Sequence, residues 1–188
     1  ENGAGKSTLI KVFTGIHQPD AGLIRLNGEE VEMTDPLAAR RRGIAAIHQH
    51  LATYPDLSVA ENIFIGNEQT LSGLPAISWR KTREMAKALL ASLGSDIDPM
   101  AEMGTLSVAQ QQIVEIAQAL SQNAQVLIMD EPTAALSLRE SEELYSIAKG
   151  LRAKGTSIIL ISHRLEDIYS LADRVTVLRD GHYIGTWD

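Results

Sequence analysis

Residues 1–10 of the chain read ENGAGKSTLI. Loops that cradle nucleotide phosphates follow the pattern G-x-x-x-x-G-K-[ST]. Gly5, Lys6 and Ser7 fit its last three positions, while the first glycine would fall before Glu1. Consecutive amides of such a loop point inward, and the helix that follows adds the positive end of its dipole, so Asn2 to Thr8 can wrap the oxygens of a polyphosphate. Lys6 would reach the outer phosphates and Ser7 would ligate Mg²⁺ through its hydroxyl. A glycine turn ahead of an ordinary helix would share this pattern, so the reading needs support from elsewhere in the chain.

Composition narrows the class. The 188 residues suffice for one sizeable core, with or without a smaller lobe. Hydrophobic residues make up 44% and charged residues 22%, ordinary values that argue against a disordered or fibrous chain. Acidic residues exceed basic ones by 24 − 17 = 7, and the only basic cluster is Arg40 to Arg42, so a nucleic-acid backbone is not the expected partner. The absence of cysteine excludes disulfides and thiolate metal sites. No apolar run approaches the roughly 20 residues of a membrane-spanning helix.

Outward from the loop, Leu9, Ile10, Val12, Phe13 and Ile16 predict a helix. A strand is expected ahead of that helix, on the far side of Glu1. Two short strands are predicted around Asn27-Gly28, a hairpin turn signal, followed by a helix in PLAARRRG and a strand in IAAIHQ. Between about Leu57 and Leu120 only helical patterns occur, two of them opened by capping boxes, Ser58 with Glu61 and Ser107 with Gln110. VLIMDE then predicts a core strand, Ser137 with Glu140 caps a helix, and SIILISH and RLEDIYSLA predict a further strand and helix. The C-terminal RVTVLRDGHYIGTW reads as two antiparallel strands joined at Asp180-Gly181. The expected architecture is an α/β core with a mixed sheet, residues 1–56 and 123–188, interrupted by a helical lobe at 57–122, with an antiparallel strand region.

The apolar run before Asp130 and Glu131 places these carboxylates at the carboxyl end of a core strand, where α/β proteins bind ligands. Asp130 could hold magnesium through water, and Glu131 could take a proton from an attacking water. A solvated acidic turn would look the same in isolation; the upstream loop favours chemistry. Ser107 sits at a helix N-terminus whose free amides favour an anion, although a plain cap accounts for it too. His163, after IILIS, and Gln49, after AAIH, are polar residues at strand ends; the second could reach a metal or water, although a loop glutamine is usually just polar.

Their order carries more than any one of them. With NGAGKST as Walker A, Gln49 as the Q-loop residue, LSVAQ as signature, LIMDEP as Walker B and ISH as H-loop, the chain resembles the nucleotide-binding domain of an ABC ATPase over nearly its whole length. IHQHLATYPDLSVAENIFIG, EPTAALS and ISHRLEDIYSLADRVTVLRDG resemble in particular the ATPase subunits of bacterial monosaccharide importers, tandem proteins whose first half this chain is similar to. The resemblance implies that Asn2, Gly3, Ala4, Gly5, Lys6, Ser7 and Thr8 hold the phosphates of ATP, and that Ser7, Gln49 and Asp130 serve Mg²⁺. It implies Glu131 as catalytic base and His163 as the switch at the terminal phosphate, with Gln49 completing the set. Ser107, Ala109 and Gln110 would serve the ATP of a facing domain. It implies as partners a second nucleotide-binding domain, membrane permease subunits and, indirectly, a periplasmic sugar-binding protein, with no nucleic acid, at the cytoplasmic face of the bacterial inner membrane.

Three departures stand out. The adenine-stacking aromatic residue lies upstream of the loop in the family, so it falls outside this sequence; the start at Glu1 reads as a product of cleavage or preparation. Ala109 stands where the signature has glycine, and a methyl group there would crowd a partner's phosphate. Ser137 replaces an acid after Walker B. Alternatives kept open are an ABC ATPase energising another substrate or a DNA-repair or translation process, a small-molecule kinase on the same loop, and a regulatory nucleotide-binding module.

Overall fold

The computed structural model describes residues 3–47, 53–70 and 76–188. Its centre is a three-stranded parallel sheet in the order β3-β4-β5, formed by Ile44–Ile47, Val126–Asp130 and Ser157–Ile161. β4 pairs with β3 from Ile44↔Val126 to Ile47↔Met129 and with β5 from Val126↔Ser157 to Asp130↔Ile161. Leu127, Ile128 and Met129 are completely buried, as expected of a parallel strand covered on both faces. The side chains divide between those faces. Ile128 joins Ile10, Val31, Met33, Ala39 and Ile44 beneath the first two helices, α1 (Lys6–Phe13) and α2 (Pro36–Arg41). Leu127 and Met129 face the larger cluster, with Ile63, Leu90, Val114 and Leu144.

That larger cluster is built by α3 (Val59–Phe64), α4 (Trp79–Ser92) and α5 (Val108–Ser121), which pack on one another, and by α6 (Leu138–Ala153). The helical segment therefore shares one apolar core with the sheet. Its starts follow the sequence signals: both expected boxes form, Ser58 with Glu61 and Ser107 with Gln110, as does the third, Ser137 with Glu140 on α6. Each satisfies two amides that a helix start leaves open. Ahead of α3, the buried Asn62 side chain accepts from the Tyr54 amide at 2.8 Å and donates to the carbonyls of Tyr54 and Ser58, both at 3.0 Å. The backbone from Tyr54 to Ser58 is thus held by one side chain.

Two antiparallel hairpins complete the fold, β1 (Ile24–Leu26) with β2 (Glu29–Val31), and β6 (Val175–Arg179) with β7 (His182–Trp187). Both turns have positive φ at both central residues, 54° and 85° at Asn27-Gly28, 50° and 77° at Asp180-Gly181. This is the geometry that matches strand twist and favours Asn-Gly and Asp-Gly. Between β5 and β6 lies a cavity of about 730 Å³, lined along its length by Leu9, Ile10, Phe13, Ile159 and Val177, with Lys6 and His163 also on its wall.

Leu127 is wholly enclosed in the sheet, so Leu127→Ala is expected to destabilise the fold by about 2–5 kcal/mol, the usual cost of a buried leucine. A drop in the urea midpoint with an unchanged slope is the checking measurement.

Candidate active site

Gly5 caps α1 in the left-handed region, with φ 93° and ψ 0°, and has no side chain of its own to bond the amides of the first turn. A residue with a Cβ would be strained there, and that Cβ would come within 3.5 Å of the Gly181 Cα at the tip of the β6–β7 turn. Gly3 is also left-handed, with φ 84°. Between them Ala4 is buried, while Ser7 and Thr8 are exposed and Lys6 is half-buried. The loop therefore offers backbone amides, two exposed hydroxyls and one cation at a positive helix end, an arrangement suited to an anion. Asn2 and Gln49 lie outside the described residues.

The second group of residues comes from strand ends. β4 ends at Asp130 and the next residue, Glu131, takes φ 50°. Among the described residues it is the only positive-φ residue other than glycine that is neither Asn nor Asp. Such a backbone costs about 1–2 kcal/mol, and it is held here by the Glu131 amide donating to the Ile161 carbonyl at 2.8 Å. The turn brings the Glu131 carboxylate to His163, whose Nδ1 lies 3.0 Å from Oε1. The glutamate side chain is 18% exposed and the imidazole 62%, so the pair stands at the surface with the carboxylate beneath. Sequence reading named both residues; the structure brings them into direct contact.

Ser107, Ala109 and Gln110 stand apart, at the N-terminus of α5. The Ser107 amide donates to Gln110 Oε1 at 3.0 Å, and the Gln110 amide donates to Ser107 Oγ at 3.3 Å. Ala109 is buried at 8% exposure. A turn further on, Gln112 Nε2 donates to the Pro132 carbonyl at 2.6 Å, which ties α5 to the loop just past Glu131. Among the described residues no three His, Cys, Asp or Glu side chains gather where they could hold a metal ion. Ser7 and Asp130 supply a hydroxyl and a carboxylate, oxygen donors of the kind Mg²⁺ takes.

One buried group went unread in the sequence. Asp167, on α7 (Leu165–Leu171), is completely buried and receives four hydroxyl contacts from three residues. Thr133 Oγ1 reaches both its oxygens, at 2.9 and 2.7 Å, Ser162 Oγ donates at 2.5 Å, and the Tyr145 hydroxyl donates to Oδ1. Burial pushes the Asp167 carboxyl up, but the hydroxyls of Ser162, Tyr145 and Thr133 and the Arg164 charge together hold it below its ordinary value. Burial and the hydrogen bond to Asp167 push Tyr145 up to about 12. In the sequence an acid in the first turn of a helix reads as a partner of the helix dipole, and nothing local marks this one as buried.

A glycine-rich loop at a helix N-terminus, with a carboxylate and a histidine at the ends of adjacent parallel strands, defines the class as a P-loop nucleotide-binding domain. Residues 1–134 match the family described as ABC transporter, and the chain belongs to that family. It is 50% identical over 186 residues to the ribose import ATP-binding protein RbsA of Shouchella clausii, covering 99% of this chain and 37% of that protein. It is 51% identical over 185 residues to a putative ribose/galactose/methyl galactoside import ATP-binding protein of Pseudomonas syringae pv. syringae, covering 98% and 35%. The chain thus spans little more than a third of these relatives. Among solved structures it superposes on the ADP conformation of MJ1267, an ATP-binding cassette of an ABC transporter, with TM-score 0.81, 28% identity and coverage of 98% and 76%. It superposes equally on cbiO1 of Clostridium perfringens, part of the ABC transporter complex cbiONQ, with TM-score 0.82, 25% identity and coverage of 99% and 73%.

Because the folded-state value of Asp167 is lowered, its stabilising contribution is complete above the unfolded-state value and is lost as pH falls through the folded-state one. Unfolding midpoints measured from about pH 7 down to about pH 3 should fall less steeply for Asp167→Asn than for the parent.

Proposed function

We propose that this chain is the first nucleotide-binding domain of an ATPase subunit that drives uptake of a monosaccharide through a bacterial ABC importer. The observation that supports it best is the contact between Glu131 and His163 at the ends of adjacent strands, in a chain that also carries the Gly3–Thr8 loop. On this reading Asn2, Gly3, Ala4, Gly5, Lys6, Ser7 and Thr8 bind the phosphates of ATP. Ser7, Asp130 and Gln49 hold Mg²⁺, which when bound neutralises charge developing on the phosphate oxygens.

Glu131 accepts a proton from a water whose oxygen attacks the terminal phosphorus. The bond to the bridging oxygen breaks, and ADP leaves with the electron pair. His163 donates from Nδ1 to Glu131 Oε1, which keeps the carboxylate aimed, and in its imidazolium form also donates from Nε2 to an oxygen of the terminal phosphate. Gln49 senses the same water or metal. Ser107, Ala109 and Gln110 present a helix N-terminus to ATP bound by a second nucleotide-binding domain, so that two domains close one site. Ala109 is buried, so its methyl group is largely covered by its own chain and does not crowd that phosphate.

In this assignment residues 1–56 and 123–188 form the ATP-binding core, and residues 57–122 the lobe that transmits closure to the membrane permease subunits. The permease in turn meets a periplasmic sugar-binding protein, which places this chain at the cytoplasmic face of the inner membrane. No described helix is long and apolar enough to cross a membrane itself. The relatives named for ribose and galactoside import support the choice of a monosaccharide.

In the full-length protein, Lys6→Ala is expected to weaken Mg·ATP binding by about 1.5–3 kcal/mol, the worth of a charge-assisted contact. Glu131→Gln should still bind Mg·ATP yet lose turnover by about a hundredfold or more. Phosphate release and nucleotide titration separate the two outcomes. With the permease assembled, a sugar-loaded binding protein should stimulate turnover; unchanged turnover would overturn the importer assignment.

A further inference from the structure

We propose that Asp167 is a positioning residue for ATP hydrolysis, acting as a buried clamp that fixes Glu131 and His163 relative to each other. The inference rests on the assignment of those two residues to the reaction. Asp167 touches neither of them; it holds the residues beside them. Ser162, which donates to Asp167 at 2.5 Å, is the immediate neighbour of His163. Thr133, which donates to both carboxylate oxygens, lies two residues past Glu131. Arg164 closes the ring from the other side: its amide donates to Ser162 Oγ at 2.9 Å, and its Nη1 donates to the Thr133 carbonyl at 3.0 Å.

The two reacting side chains thus hang from backbones tied to one carboxylate, which Tyr145 of α6 anchors to the core. Only a group that accepts from several hydroxyls at once can do this. An ionised carboxylate has about four acceptor positions, and Asp167 uses its oxygens for Thr133, Ser162 and Tyr145 together. An amide has one acceptor oxygen, and its NH₂ would face hydroxyls placed to donate. Thr133 and Asp167 are both essentially inaccessible, at 1% and 0% exposure, so water cannot substitute for a lost partner. A shift in either backbone would separate a carboxylate and an imidazole now 3.0 Å apart. Displacements of about an ångström at reacting groups cost roughly up to a hundredfold in rate.

The test uses the full-length protein, with ATP turnover, affinity for a non-hydrolysable ATP analogue and thermal midpoints measured for Asp167→Asn, Ser162→Ala, His163→Ala and the double variant D167N/H163A. Asp167→Asn should lower kcat by roughly tenfold to a hundredfold while analogue affinity changes by less than about twofold. The double variant should lose less than the product of the two single losses, because the clamp acts in part through that side chain. If Asp167→Asn fails to fold, Ser162→Ala carries the test, and a lower kcat at a near-parental midpoint supports the clamp. Unchanged kcat in Ser162→Ala, additive losses in the double variant, or parallel loss of kcat and analogue affinity would overturn it. Glu131→Gln serves as the control: if it keeps turnover, the assignment of the reacting pair fails, whatever Asp167 does.

Discussion

β4 is hydrogen-bonded along both edges, to Ile44–Ile47 on one side and Ser157–Ile161 on the other, and its three central side chains are sealed from water. A strand so held has one register only, because a slip by one residue would turn Ile128 into the cluster built for Leu127 and Met129. That register sets where the chain emerges at Asp130 and Glu131. The same ladder pairs Asp130 with Ile161, two residues before His163, so a single constraint places both halves of the reacting pair. Loop chemistry is then local: a left-handed turn at Glu131, tied to the Ile161 carbonyl, completes what the ladder begins.

Much of this was legible in the sequence because the signals involved are short-range. Asn27-Gly28 and Asp180-Gly181 announce their turns through the φ values they tolerate, and the capping boxes at Ser58, Ser107 and Ser137 announce helix starts through a side chain that reaches three residues on. The apolar run before Asp130 announces a buried strand by its composition. Glu131 and His163 were legible as candidates for the same reason, each standing at the end of an apolar strand. Their contact was not, since it depends on which strands lie side by side.

The Asp167 clamp was illegible for a related reason. Its members come from the loop after β4, from α6, from the end of β5 and from α7, and each has an ordinary reading where it stands. Thr133 reads as a turn residue, Tyr145 as part of an apolar helix face, and Ser162 as a polar step between strand and histidine. Only the fold reveals that three hydroxyls converge on one carboxylate. The Gln112 bond to the Pro132 carbonyl, linking α5 to the same loop, was hidden in the same way. Such residues are invisible to periodicity because their partners are set by topology.

The parallel pairing of β3 with β4 also bears on how the chain is made. The whole of residues 48–125 lies between two strands that must meet edge to edge, so the central sheet closes only after the helical segment has been synthesised and collapsed. The phosphate loop and α1 leave the ribosome well before the ends of β4 and β5. Until then Ile10, Ile44 and the other apolar residues of that cluster lack Ile128. The nascent chain is therefore most exposed to aggregation and to chaperone capture during this interval, and synthesis speed through the helical segment sets how long it lasts.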